Sequence, residues 1–96
     1  MKYGVYSMRD KHVGFTEPRL FMNDKVAVRN FAAAVNNSPV GSDLGFAPGD
    51  FDLYKLGEFD SESGLFSDKE LINAGIPEFI VSGSSVFGAK DYEKEI

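Results

Sequence analysis

The sequence has 96 residues with nine Phe, four Tyr and no Cys, and its formal net charge is −5. This length corresponds to one small domain, and the lack of Cys excludes disulfides and thiolate metal sites. No apolar run approaches the roughly 20 residues that a membrane-spanning helix needs, and the first residues lack the apolar core of a secretion signal, so we expect a cytoplasmic protein.

The charge is unevenly distributed along the chain. Residues 1–30 carry six Lys and Arg against three acidic residues, a balance of +3, whereas the rest carry four Lys against twelve acids, a balance of −8. Binding to a polyanion needs positive surface, so the net charge argues against simple coating of nucleic acid. The basic first third is compatible with a local binding surface, and also with an ordinary mixed surface.

The first predicted element is a β-strand over residues 2–9. Polar and apolar residues alternate there, which places Tyr3 and Val5 on one face and Tyr6 and Met8 on the other. The alternation does not tell which of the two faces is buried.

A turn over residues 10–14 and a second strand over residues 15–22 complete a predicted hairpin. Gly14 can take the positive φ that such a turn requires. Pro18 has no backbone N–H, so we expect the second strand to lie at an edge of the sheet or to be broken at this residue.

An amphipathic helix is predicted over residues 24–36. Asn23 and Asp24 are both good N-cap residues, and the helix should end at residues 36–39, which include a proline. One apolar stripe at helical spacing is formed by Val28, Phe31, Ala32 and Val35. The many alanines should let this helix lie close against a sheet.

The second half begins with an irregular connection over residues 38–50. The clearest strand pattern of the chain follows at residues 51–59, and residues 60–64 predict a hairpin loop in which Gly64 takes a positive φ. Leu65 and Phe66 should begin the returning strand.

The sequence from residue 67 onward predicts less regular structure. Ser67 or Asp68 can cap a short helical turn that ends at Gly75, and residues 79–81 can form a last strand. The expected fold is therefore α+β, with two β-hairpins in a small antiparallel sheet and one helix on a face, in the order β-β-α-β-β. We place the domain at residues 1–82 and a flexible charged tail at residues 83–96.

Little in the sequence indicates catalysis or a bound cofactor. His12 is the single histidine and lies in a predicted turn. With one His and no Cys, the chain cannot form a Cys–His pair or a metal site built from His and Cys. Residues 60–64 lack the ligand spacing of a calcium loop, and the glycines at 41, 45 and 49 lack the Lys-Ser/Thr ending of a phosphate loop. We expect a protein that is not an enzyme and that holds no metal or cofactor.

Basic and aromatic residues alternate through the first hairpin and helix, with a further pair in the strand at 51–59. Single-stranded nucleic acid is held by rings that stack on bases beside cations that contact phosphates. In a hairpin, about half of such rings must instead form the core. Candidate stacking residues are Tyr3, Tyr6, Phe15 and Tyr54, and candidate phosphate contacts are Arg9, Lys11, Arg19, Lys25, Arg29 and Lys55. Because Tyr54 and Lys55 lie on opposite faces of one strand, we expect at most one of the two to contribute.

Several short motifs occur in a fixed order over about residues 1–66. They are the segments Tyr3–Ser7, Arg9–Lys11, Phe21–Asp24, Ala27–Phe31, Pro48–Asp60 and Ser63–Gly64. The most specific parts are Ala-Val-Arg-x-Phe in the helix and Asp-x-x-Leu-Tyr-x-Leu-Gly-x-Phe-Asp in the strand and turn that follow. This series resembles the small nonstructural protein of gokushovirus-like single-stranded DNA phages (Microviridae), which is often described as DNA-binding.

The resemblance implies a nonstructural protein of the bacterial host cytoplasm that acts on the phage genome or its synthesis. We therefore expect weak to moderate binding of single-stranded DNA without sequence preference, during replication or packaging. The alternative is an adaptor that engages a phage replication or assembly protein through its acidic surface. A sheet edge near Pro18 or Phe79 could pair with a second copy, so we also expect a homodimer.

Overall fold

The structure, a computed structural model, describes residues 1–37, 48–66 and 76–87. It contains one antiparallel sheet of five strands with one long helix, which confirms the predicted α+β class. Its elements are β1 (Lys2–Asp10), β2 (Gly14–Phe15), β3 (Arg19–Phe21), α1 (Asp24–Asn36), β4 (Phe51–Asp60), β5 (Glu78–Ser82) and α2 (Gly83–Val86), with a single 3₁₀ turn at Pro48–Asp50 before β4.

β1 is a central strand of the sheet and has β4 as its long partner. The two strands pair from Lys2 opposite Asp60 to Asp10 opposite Phe51, with a bulge where the register shifts between Val5 and Tyr6. β2 and β3 lie along the other side of β1, and β5 lies on the far side of β4. This long-range pairing of β1 with β4 holds the two halves of the sequence together.

The first hairpin forms as expected and its second strand is broken at the predicted place. Gly14 has a φ of 120° and is the register partner of Asp10 across the turn. β2 and β3 both pair with β1, but residues 16–18 between them do not continue the ladder. Pro18 explains the interruption, since it cannot donate a hydrogen bond to β1.

The loop after β4 also turns as predicted. Gly64 has a φ of 76°, and the backbone N–H of Asp60 donates to the carbonyl of Leu65 over 3.0 Å. The returning segment forms only an isolated bridge between Phe59 and Phe66. The sheet instead continues with β5, whose residues 79–81 were predicted as a strand.

α1 is positioned by its cap and by one apolar face. The Asn23 side chain accepts a hydrogen bond from the backbone N–H of Val26 at 2.9 Å, which satisfies one of the free donors of the first turn. Phe31 and Val35 are buried as predicted, but Ala27 is fully buried whereas Val28 is only half-buried. Ala32 is buried as well, so three of the four predicted stripe positions are confirmed, and Ala27 joins them while Val28 packs at the border of the core.

α2 corrects the predicted boundary between domain and tail. Val86 has no exposed surface, lies in the core with Phe31 and Val35, and its carbonyl accepts a hydrogen bond from the Asn36 side chain at 2.9 Å. Residues 83–86 therefore belong to the folded domain, because an apolar side chain that is removed from water stabilises the packed state. The predicted connection at 38–47, the helical turn at 67–75 and the tail at 88–96 lie outside the described residues.

Candidate nucleic-acid interface

The sheet has one face against α1 and one face that α1 does not cover, which we call the open face. Tyr6 and Met8 of β1 pack against the core with α1. Side chains alternate along a strand, so Ser7 and Arg9 belong to the opposite side of the sheet. Ser7 is paired with Tyr54, which places that tyrosine on the open face as well.

Three aromatic rings form a row across the open face, from the edge at β2 to the edge at β5. The ring centroids of Phe15 and Tyr54 are 5.4 Å apart, and those of Tyr54 and Phe79 are 5.7 Å apart, both edge to face. Phe15 is 45% exposed and Phe79 is 53% exposed. We call Phe15, Tyr54 and Phe79 the aromatic row.

Cations lie at the same end of the sheet as the aromatic row. Arg9 is the register partner of Phe15, and Lys11 is exposed in the turn that follows β1. Like the other four Lys and Arg of residues 1–30, they form no ion pair within the described ranges. No carboxylate oxygen of the described ranges therefore lies within 4.0 Å of their charged nitrogens.

A buried carboxylate lies next to these groups. Asp52 is paired with Arg9 on one side and with Ser82 on the other, so it shares the open face with them. It is 7% exposed, and its Oδ1 accepts no hydrogen bond in the described structure. An unpaired buried acceptor of this kind is uncommon in folded proteins.

The opposite end of β4 carries a different set of residues, which we call the acidic end: Asp60, Glu62, Leu65 and Phe66. Leu65 and Phe66 are 66% and 68% exposed, and the ring of Phe66 lies 5.2 Å from that of Phe59. The ammonium group of Met1 lies 3.7 Å from Asp60 and 4.0 Å from Glu62. The backbone N–H of Glu62 and the positive charge of the N-terminus lower the pKa of Asp60.

Tyr6 was predicted as a stacking residue, and the structure contradicts this. Its ring is 1% exposed and packs in the core, and its hydroxyl donates a hydrogen bond to Asp24. Burial, together with this hydrogen bond, raises the pKa of Tyr6 well above its ordinary value. A ring enclosed by α1 and the sheet cannot meet a base, so Tyr6 is a core residue.

Lys55 is also poorly placed for the predicted phosphate contact. It is the register partner of Tyr6 and therefore lies on the helix side of the sheet. Its ammonium group is 3.9 Å from Asp24 and 3.7 Å from Glu58, and its side chain is only 17% exposed. Of the pair Tyr54 and Lys55, Tyr54 is the one on the open face.

Three further predicted phosphate contacts lie away from the aromatic row. Arg19 pairs with Tyr6 at the edge of the sheet, and Lys25 and Arg29 belong to α1. Arg19 lines a cleft of about 270 Å³ between α1 and the interrupted edge strand, whereas Lys25 lines a shallower one of about 450 Å³ at the start of α1. The ten predicted residues thus do not form one continuous surface.

Of the ten predicted residues, the structure brings Phe15, Tyr54, Arg9 and Lys11 to one end of the sheet. Their neighbour Phe79 was not among the predicted site residues. Phe79 lies on β5, which is distant from β4 in sequence. The pairing of these two strands shifts register between Leu53 and Tyr54. No local pattern predicts that register. Tyr3, another predicted stacking residue, is half-buried and is paired with Phe59, near the acidic end.

The comparison with known proteins identifies a family. Residues 3–86 match the family model described as "Phage ORF5 protein". The chain belongs to this phage protein family. The match runs from the second residue of β1 through β5 to Val86, so both ends of the sheet lie within it. Among the curated proteins and among the solved structures, no match to this chain is found.

Two further observations bound the chemistry of the described ranges. No three His, Cys, Asp or Glu side chains within them come together in a way that could hold a metal ion. None of the helices found there is long and apolar enough to cross a membrane.

Proposed function

We propose that this phage protein is a non-enzymatic accessory factor that binds single-stranded DNA on the open face of its sheet. The observation that carries the proposal is the aromatic row, with two of its three rings about half exposed. Exposed rings bind successive bases without regard to sequence, and each stacked base contributes about 1–3 kcal/mol. The family match supports a phage context, which is where a protein of this kind would meet single-stranded genomes.

The local electrostatics support the proposal better than the net charge does. Arg9 and Lys11 lie at the end of the sheet that carries the aromatic row, whereas Asp60 and Glu62 lie at its other end. A cation without a carboxylate partner is available to a phosphate group. A net charge of −5 therefore does not exclude a local anion-binding surface.

The first experiment is fluorescence anisotropy with a labelled single strand of about 30 nucleotides, at low and moderate salt, with a duplex of the same sequence as control. We expect binding that prefers the single strand and weakens as salt rises, because each phosphate contact releases a counterion. Absence of binding at low salt and high protein concentration would contradict the proposal.

A matched pair of variants tests which side of the sheet binds. Arg9→Glu reverses a charge on the open face, and Arg29→Glu makes the same change on α1. We expect the first to weaken binding about tenfold or more and to reduce its salt dependence, whereas the second should have a small effect. The reverse order would place the DNA on the helix side.

A second candidate function, an adaptor for a phage replication or assembly protein, is supported by the acidic end. Exposed Leu65 and Phe66 lie beside Asp60 and Glu62, a combination that suits a basic partner segment with apolar side chains. Glu62→Lys should weaken such a partner contact and leave single-strand binding intact. That outcome separates the two functions in one variant.

The predicted homodimer stays a prediction, and β5 is the better of the two proposed edges. The edge near Pro18 is interrupted, whereas β5 has five residues in a strand whose outer side meets no other described strand. A second copy paired there would extend the open face. Sedimentation of the free protein over a range of concentrations tests this directly.

A further inference from the structure

Asp52 is the feature of the open face that stacking alone does not explain. A carboxylate that is 7% exposed, with an oxygen that accepts no hydrogen bond in the described structure, costs free energy unless something donates to it. No Lys or Arg of the described ranges forms an ion pair with it. Its Oδ1 is therefore an unused hydrogen-bond acceptor of the described structure.

The neighbours of Asp52 are the groups that the proposed function assigns to DNA. Tyr54, the middle ring of the aromatic row, is two residues further along the same face of β4, about 7 Å away along the strand. Arg9 lies directly across on β1. A base that stacks on Tyr54 therefore has two groups beside its hydrogen-bonding edge. The Asp52 carboxylate is an acceptor, and the Arg9 guanidinium across from it is a donor.

The four bases differ in what they can offer to a carboxylate. An ionised carboxylate has two acceptor oxygens and binds two parallel N–H groups especially well. Guanine presents two adjacent donors, N1–H and the N2 amino group, on its Watson–Crick edge, whereas thymine presents one. Guanine O6 is also a good acceptor for an arginine such as Arg9.

We infer that Asp52 gives the aromatic row a preference for guanine among the bases of a single strand. This inference rests on the proposed function and adds a specificity-determining residue to it. The carboxylate accepts from N1–H and the N2 amino group while the base stacks on Tyr54. Because Oδ1 has almost no accessible area, the side chains over it shift when the base enters.

The test uses three oligonucleotides of about 12 nucleotides that differ at one central position: all dT, one dG, or one deoxyinosine in place of the dG. A single dG avoids the four-stranded structures of G-rich DNA, and deoxyinosine removes only the N2 amino group. Binding of each is measured by anisotropy to the wild type, to Asp52→Asn and to the control Asp50→Asn. Thermal melts establish that each variant is folded.

For the wild type we expect the dG strand to bind about tenfold more tightly than all dT, and the deoxyinosine strand to lose much of that gain. Asp52→Asn should remove the discrimination and keep the affinity for all dT. Asp50→Asn should keep the discrimination, since Asp50 lies outside the sheet and its side chain is paired with His12.

Two results overturn the inference in distinguishable ways. Equal affinity of the wild type for all three strands, or discrimination that survives in Asp52→Asn, overturns the role of Asp52 and leaves single-strand binding in place. Failure of every strand to bind overturns the proposed function, and the inference with it.

Discussion

The two ends of the sheet share two long strands, yet they present different chemistry. One end combines the aromatic row with Arg9 and Lys11, cations that form no ion pair within the described ranges. The acidic end combines exposed Leu65 and Phe66 with carboxylates that the ammonium group of Met1 approaches. Both ends thus expose aromatic rings, and the charges beside those rings distinguish one end from the other.

A substitution in the core that supports both ends of the sheet should have the largest effect, because it destabilises the whole fold. Phe31→Ala removes a large side chain that is 4% exposed between α1 and the sheet. We expect the free energy of unfolding to fall by about 3–5 kcal/mol, a large part of the stability of a small domain. Urea denaturation measures this loss. A loss below about 1 kcal/mol would mean that the contacts of Phe31 do not hold the sheet and helix together.

A change in the aromatic row should affect DNA binding, whereas the same change at the acidic end should not. Tyr54→Ala removes the ring that contacts both Phe15 and Phe79, and we expect single-strand binding to weaken by about 1–3 kcal/mol. Phe66→Ala also removes an exposed ring and serves as the control. Equal losses in the two variants, measured by anisotropy at one salt concentration, would remove the distinction between the ends.

The two ends should also differ in what their carboxylates contribute to stability. Asp52 is a buried carboxylate with an unpaired oxygen, and a neutral amide costs less to bury than a charge. We therefore expect Asp52→Asn to raise the free energy of unfolding by about 1 kcal/mol, measured by urea denaturation at pH 7. A decrease would show that the charge of Asp52 is stabilised by its surroundings in the free protein.

The smallest change in the free energy of unfolding is expected at Asp60, where loss of the carboxylate should lower stability rather than raise it. The hydrogen bond from the backbone N–H of Glu62 and the nearby N-terminus lower the pKa of Asp60 below its ordinary 3.8. A lowered pKa means that the ionised form stabilises the fold above about pH 4, and that this contribution is lost as the pH falls through the lowered value. Asp60→Asn should be slightly less stable than the wild type at pH 7, and the difference should shrink toward pH 3. Thermal melts at both pH values measure it, and a difference independent of pH would argue against a role of the charge.

Local elements of this fold could be predicted from the sequence because each depends on neighbouring residues. The cap at Asn23 and the period of Phe31 and Val35 are enough to place α1. The turns at Gly14 and Gly64 follow from the positive φ that each requires.

The pairing of distant segments could not be predicted in the same way. The alternation of β1 separates Tyr6 from Ser7, but only the contact with α1 decides that Tyr6 is the buried one. The neighbour of Tyr54 on β5 depends on a bulge, and a slip of one residue would move Phe79 to the other face. The sequence therefore supplied candidate residues such as Phe15 and Tyr54, but it supplied neither Phe79 nor the arrangement of the rings.

The break between β2 and β3 has a consequence for behaviour at high concentration. A continuous edge strand presents a row of free N–H and C=O groups that can recruit further chains and grow into aggregates. Here that edge is cut by Pro18 and bordered by Glu17 and Arg19, so no long ladder is available beside the exposed rings of the open face. The half-exposed rings of Phe15 and Phe79 therefore lie in a sheet whose edge at β2 and β3 offers no template for fibre growth.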